Sequence, residues 1–198
     1  MFGLTKPMPI GKLFGIKLTI SWSFLVLVAV FALFSAFQGP SFLLGLIGGV
    51  IVLGLLFASV VIHELGHSLV AQRLGIRIAE IELHFFGGAA KMIDLPKTPR
   101  DQLIVAAAGP AVSFMVAGIS GLLLLVGNPL GIVSTLLWAN VMLGAFNLIP
   151  ALPTDGGRIL RAALTPHYGP LDATRMAVKV ARVATIAIGL GALVVPGF

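Results

Sequence analysis

His63-Glu64-Leu65-Gly66-His67 sets two imidazoles four residues apart, with a carboxylate directly after the first. On a helix, positions i and i+4 lie on one face a turn apart, so both rings can reach a single metal ion, and zinc suits this H-E-x-x-H spacing. Glu64 projects beside them, where its carboxylate can take a proton from an attacking water instead of serving as a ligand. Two histidines do not complete a catalytic zinc site, which wants three protein ligands and one open position. Asp155 is the candidate third ligand. It lies in a stretch broken by Pro150 and Pro153, with Gly156 and Gly157 after it to permit a sharp backbone turn. Asp94, Asp101 and Asp172 compete for the role from charged connections, and Asp155 would equally serve as an N-cap over the residues that follow it.

The elements that must position these groups are set by composition. Of 198 residues, 58% are hydrophobic and 10% are charged, and the mean hydropathy is +1.08. A water-soluble domain cannot hide so much apolar surface, so lipid is the expected solvent for most of the chain. Five apolar spans are predicted, over residues 18–37, 42–74, 102–126, 130–149 and 176–195. The zinc motif falls near the far end of the second, and the Asp155 break follows the fourth. Between the second and third spans, residues 76–96 alternate polar and apolar positions before Phe85-Phe86-Gly87-Gly88, which predicts a short β hairpin at the membrane. The basic residues before the first span, Lys6, Lys12 and Lys17, are not followed by a small-residue cleavage site, so that span is read as retained. With no cysteine, thiolate catalysis, thiolate zinc sites and disulfide scaffolding are excluded.

Charge placement orients the spans. All thirteen Lys and Arg fall before the first span, from the end of the second (Arg73) to the start of the third, or after the fourth, while the turns at 38–41 and 127–129 carry none. By the positive-inside rule the N-terminus, the hairpin and the Asp155 segment are expected to be cytoplasmic. The same distribution accounts for the net charge of +6 without nucleic acid, because the basic residues are juxtamembrane and not interleaved with aromatics. His84 and His167 are read as interfacial or solvated, and Trp22 and Trp138 as interfacial anchors or packing residues.

Three separated segments resemble the site-2 protease family of intramembrane zinc metalloproteases, peptidase family M50. His63-Glu64-Leu65-Gly66-His67 is similar to its zinc motif, and Asn147-Leu148-Ile149-Pro150-Ala151-Leu152-Pro153-Thr154-Asp155-Gly156-Gly157 to its second motif. Phe86-Gly87-Gly88-Ala89 looks like its glycine-pair strand, and Ala108-Gly109-Pro110 at the start of the third span joins the match. The resemblance implies Asp155 as the third ligand to one zinc per chain. It implies Glu64 as the catalytic base, Asn140 or Asn147 as a group positioning substrate or the developing oxyanion, and Phe86, Gly87 and Gly88 as part of a strand that pairs with unwound substrate. Thr154 departs from the family's usual larger apolar residue, and Ser113 stands near a common Asn. Many members continue into a sixth span and a pair of CBS domains, and some carry a PDZ-like domain; neither follows from this sequence.

The expectation is therefore an all-α polytopic membrane protein of about five transmembrane helices plus the hairpin, with residues 1–198 as one intramembrane metalloprotease domain. Its partners are the lipid bilayer and membrane-anchored protein substrates, cleaved in or near their transmembrane segments by regulated intramembrane proteolysis. Two other classes stay open: a zinc transporter using the same histidines, which would need facing polar ligands along several spans, and a catalytically silent membrane scaffold, which leaves Glu64 without a role.

Overall fold

The computed structural model describes residues 6–85 and 87–194. In chain order the elements are β1 (Met8–Leu13), β2 (Ile16–Ile20), α1 (Trp22–Gln38), α2 (Phe42–Arg73), β3 (Ile78–His84), β4 (Gly87–Met92), α3 (Pro99–Leu123), α4 (Ile132–Asn147) and α5 (Asp155–Val194). Five α-helices are present among the described residues. Of these, α2 and α3 are long and apolar enough to cross a bilayer, while α1 and α4 are shorter apolar helices of 17 and 16 residues. Such helices extend about 25 Å against a hydrocarbon core of about 30 Å. The outward faces of α1, α2 and α3 carry exposed Phe34, Phe37, Leu43, Leu122 and other large apolar side chains, a surface suited to lipid.

The hairpin read from residues 76–96 is β3–β4, and it belongs to a larger four-stranded mixed sheet in the order β1-β2-β3-β4. The first span had been placed at 18–37, but Ile16 to Ile20 form a strand that pairs in parallel with Lys17 opposite Glu80 and Ile20 opposite Leu83. Alternating Ile16, Leu18 and Ile20 suit a half-buried strand as well as a helix, and the partner that decides lies some sixty residues away. A tight turn at Phe14 (φ 51°) and Gly15 (φ 79°) closes β1 onto β2. The Ser21 amide continues the ladder to the Leu83 carbonyl before α1 starts at Trp22. Ile16, Leu18 and Ile81 pack on Leu65 of α2, so the inner face of the sheet sits against the turn of helix that carries the zinc motif.

Helix α3 packs against α2, α4 and α5. Its approach to α2 is at backbone distance: a Cβ added at Gly66 would stand 2.9 Å from the Ala108 carbonyl oxygen and 3.0 Å from Val112. Small residues do the same between α1 and α2, where Gly45 and Gly49 face Ala32, Ser35 and Ala36. Helix α5 is broken at Gly169 (φ 76°, ψ 164°), between Pro166 and Pro170. The fifth apolar stretch expected at 176–195 begins beyond that break, and its last residue lies outside the described ones.

The α2–α3 contact gives a direct test. Gly66→Val should lower the melting temperature in detergent well beyond Gly54→Val, a position in the same helix where an added Cβ meets nothing within 4 Å. Overpacking of this kind costs about 1–3 kcal/mol. Equal melting temperatures for the two variants would refute the contact.

Candidate metal centre

Helix α2 places His63 and His67 on the face turned to α3, where both are buried. The His67 Nδ1–H donates to the carbonyl oxygen of Val105 at 2.7 Å. A carbonyl only accepts, so the proton of a neutral His67 ring lies on Nδ1 and its Nε2 presents a lone pair. His63 Nδ1 lies 2.9 Å from the Ser113 hydroxyl, which in turn leaves His63 Nε2 directed at the same point. The two Nε2 atoms are 3.2 Å apart.

Asp155 meets them from the other side. Helix α4 ends at Asn147, and the following seven residues fold back on themselves: the Ala151 amide donates to Ile149 O and the Thr154 amide to Ala151 O, at 2.7 and 2.8 Å. The Thr154 hydroxyl lies 2.5 Å from the carbonyl oxygens of Ile149 and Ala151, a tie that a larger apolar residue there would not make. Gly156 and Gly157 let this loop lie on the first turn of α5, because a Cβ at Gly156 would collide with Leu148 O and one at Gly157 would stand 2.6 Å from the Leu152 nitrogen. Asp155 is the first residue of α5, and its Oδ2 is 3.1 Å from each histidine Nε2. Its other oxygen is 3.9 Å from Arg158 Nη1.

Three ligand atoms thus converge within 4.8 Å of one another. Tetrahedral zinc with bonds of about 2.0–2.2 Å sets its ligand atoms about 3.3–3.5 Å apart, close to the spacing here. His67 Nε2 and the Asp155 carboxylate both present lone pairs here, and His63 Nε2 joins them when the Ser113 hydroxyl accepts the His63 Nδ1 proton; the three then repel unless a proton or a cation stands among them. The donor set therefore fits a zinc ion. Gly109 keeps the space open, since a Cβ there would run into the imidazole Nε2 atoms of both histidines.

The competing aspartates are elsewhere. Asp94 forms a two-pronged ion pair with Arg77, whose guanidinium holds that carboxyl below its ordinary range. The Asp101 amide is bound by the Thr98 hydroxyl at the start of α3, and Asp172 pairs with Arg175. Neither His84 nor His167 belongs to the metal-capable group among the described residues.

Glu64 stands beside the trio, half-buried, with Oε2 accepting from the Ala90 amide of β4 at 3.1 Å. A Cβ at Gly88 would be 3.1 Å from Glu64 Cγ and 2.8 Å from Val60, so the glycine allows the edge strand to lie directly on α2. Gly88 is thus next to Glu64, Gly87 starts the same strand with open space around it, and Phe86 lies outside the described residues. Asn147 is half-buried at the end of α4 and its amide donates to Leu143 O. Asn140, the alternative to Asn147, is fully buried, and its amide nitrogen donates to Ser59 Oγ and Leu136 O, bracing α4 against α2. Sequence reasoning had given no role in the centre to Ser113, the Val105 carbonyl or the bare Cα of Gly109. A buried serine in an apolar span was the available signal for the first, and no residue type marks the second.

Residues 50–134 and 126–188 match the profile of Peptidase family M50. A zinc metalloprotease of Methanocaldococcus jannaschii is 40% identical over 181 residues, covering 86% of this chain and 49% of the relative. Rip3 of Mycobacterium tuberculosis is 34% identical over 204 residues, covering 92% and 50%. The chain spans about half the length of these curated relatives. A solved structure of the site-2 protease from Methanocaldococcus jannaschii aligns with TM-score 0.68 and 35% identity, over 95% of this chain and 85% of that one.

The hydroxyl behind His63 can be tested by metal affinity alone. Ser113→Ala should weaken zinc binding about 10–100-fold in competition with a chromogenic chelator, with Ser113→Thr close to the parent. An unchanged affinity in Ser113→Ala would show that His63 is oriented without it.

Proposed function

The chain belongs to peptidase family M50, and on that premise we propose that it is a zinc metalloprotease hydrolysing peptide bonds in or beside the membrane-spanning segments of other proteins. The observation that carries this reading is the convergence of His63 Nε2, His67 Nε2 and Asp155 Oδ2, with Glu64 set between them and an edge strand. These three atoms would hold one zinc per chain. Zinc, when bound, supplies Lewis-acid chemistry, acidifying water and polarising a peptide carbonyl.

The chain's own residues do the rest. Glu64 keeps one carboxylate oxygen on the Ala90 amide, which fixes its rotamer, and uses the other to accept a proton as water oxygen attacks the scissile carbonyl carbon. It returns that proton to the amide nitrogen as the C–N bond breaks. Strand β4 is the sheet edge on the Glu64 side, and Gly87 and Gly88 offer backbone without side chains to an extended peptide. A helical segment must unwind to pair there, since only then are its amides free. Asn147 holds substrate in this reading, which its position at the α4 end beside the Asp155 loop supports.

The chain is read as one multi-pass membrane domain with its N-terminus and its catalytic groups toward the cytoplasm, acting in regulated intramembrane proteolysis. The grouping of all thirteen basic residues on one side of the spans supports this orientation.

Glu64→Gln should retain stoichiometric zinc and lose at least about a hundredfold in cleavage of single-span substrates in liposomes, while Asp155→Ala should lose the zinc itself. Mass spectrometry of fragments and metal analysis read the two; undiminished cleavage by Glu64→Gln would sink the mechanism.

Orientation is checked separately. In intact cells an impermeant thiol reagent should label Asn128→Cys and not Arg77→Cys, and the reverse result would invert the topology.

A further inference from the structure

Strand β1 is exposed along its whole length, although the sheet it belongs to is seated on the bundle. Its two faces differ. Pairing sets Leu13 opposite Ile16 and Met8 opposite Ile20, so both continue the apolar face that Ile16, Leu18 and Ile81 lay against Leu65. Met8 and Leu13 are nevertheless each 40% exposed, and Phe14 in the turn is 71% exposed, so the apolar face runs on past the part that α2 covers. The opposite face is basic. Lys12 and Lys17 are direct cross-strand partners, both exposed, and the same row continues to Glu80 and Lys91. Glu80 and Glu82 are both taken by Lys91, at 2.8 and 2.6 Å, and among the described residues neither Lys12 nor Lys17 has an ion-pair partner. Two ammonium groups set opposite one another on paired strands repel, and an anion between them removes the repulsion.

The depth of this hairpin follows from the two ends of β2. At one, Ile16 joins the cluster around Leu65, which lies two turns before the basic end of α2 at Arg73, about 12 Å along the axis. Helix α2 is about 48 Å long against a hydrocarbon core of about 30 Å, so Leu65 falls near the boundary between hydrocarbon and headgroups. At the other end, β2 passes through Ser21 into α1, whose first residue is the exposed Trp22, a side chain suited to that same boundary. The hairpin therefore lies along the membrane surface. Its free edge is closed to an added strand, since Pro9 has no amide proton, a bulge between Pro9 and Gly11 breaks the ladder, and Lys12 follows.

We infer that the β1–β2 hairpin binds an anionic phospholipid, with the headgroup phosphate between the Lys12 and Lys17 ammonium groups and the acyl chains passing Leu13 and Phe14. The lysines flank the turn, and their long stems carry the charge toward its tip, so one lipid can meet both the basic pair and the apolar turn. Each half of the surface excludes a simpler occupant. Water satisfies the lysines and leaves Leu13 and Phe14 bare; a zwitterionic lipid covers the apolar residues and brings no net charge to the lysines. The inference goes beyond the protease reading and stands or falls without it, because it concerns binding alone.

Native mass spectrometry of the full chain in detergent, titrated with phosphatidylglycerol or phosphatidylcholine of matched chain length, tests it. Phosphatidylglycerol should bind first, and Lys12→Gln/Lys17→Gln should weaken its first binding step about tenfold or more, whereas Lys179→Gln/Arg182→Gln, an exposed basic pair on α5, should leave that step nearly unchanged. Equal losses in the two double variants would reduce the lysines to diffuse charge and overturn the proposal, as would equal binding of both lipids by the parent chain. Phe14→Ser should weaken phosphatidylglycerol several-fold. Full affinity in that variant, or displacement of the lipid by glycerol phosphate at matched concentration, would leave a site for free phosphate and sink the lipid assignment. Dimers of the parent chain that are lost in Phe14→Ser and persist with phosphatidylglycerol present would give the surface to a second copy. Without lipid, Lys12→Gln/Lys17→Gln should melt no lower than the parent, since it relieves a repulsion; a lower melting temperature would show the lysines tied within the chain and would count against the proposal.

Discussion

Three ligand atoms, His63 Nε2, His67 Nε2 and Asp155 Oδ2, are held 3.1–3.2 Å apart inside an apolar bundle, and much of the surrounding structure exists to keep them there. With lone pairs on all three, such an arrangement is repulsive unless a proton or a cation stands among them, and burial removes the water that would screen it. It persists because each group is gripped from behind. Val105 and Ser113 of α3 hold the far nitrogens of the rings, and the loop after α4 is knotted by its own hydrogen bonds before it presents Asp155. The ligands come from two elements distant in sequence, and a third, α3, sets the orientation of the imidazoles.

Glycine is what lets these parts come so close. At Gly66 and Gly109 the side-chain layer that normally separates two helices is missing, so the backbone of α3 reaches the α2 histidines. At Gly88 the same omission lets an edge strand touch Glu64, and at Gly156 and Gly157 it lets a loop lie on a helix start. Each absence of a Cβ converts a packing distance into a functional one. Irregular backbone at such a place is tolerable in a membrane because it is covered by protein and bonded internally, as the 148–154 loop is.

The sheet solves a related problem. An edge strand beside the proposed catalytic base is useful only if its position is rigid, and β3–β4 alone would be a marginal hairpin. The first twenty residues supply two further strands and the apolar pair Ile16 and Leu18, which seat the sheet on Leu65 within the zinc motif itself. The Lys91 ammonium between Glu80 and Glu82 ties the outer face of the same hairpin. The N-terminal segment thus belongs to the architecture of the site, although it contributes no ligand.

Much of the chemistry was legible in the residues alone, because it depends on short-range spacing. The four-residue interval between His63 and His67 is geometry that any helix enforces, apolar runs report lipid wherever they fold, and Pro150, Pro153, Gly156 and Gly157 mark a break whatever surrounds it. Alternation around Ile81 likewise announced the hairpin. Tertiary structure alone decided the rest, since each remaining feature depends on which distant segment arrives. Residues 16–20 became a strand because β3 offered them a parallel partner, and Asn140 turned inward because Ser59 lay within reach. Asp94, Asp101 and Asp172 were parted from Asp155 by where their helices and loops end. Ser113 and the Val105 carbonyl acquired their roles from the crossing of α3 over α2, a contact between residues 38 and 50 positions apart that no local pattern encodes.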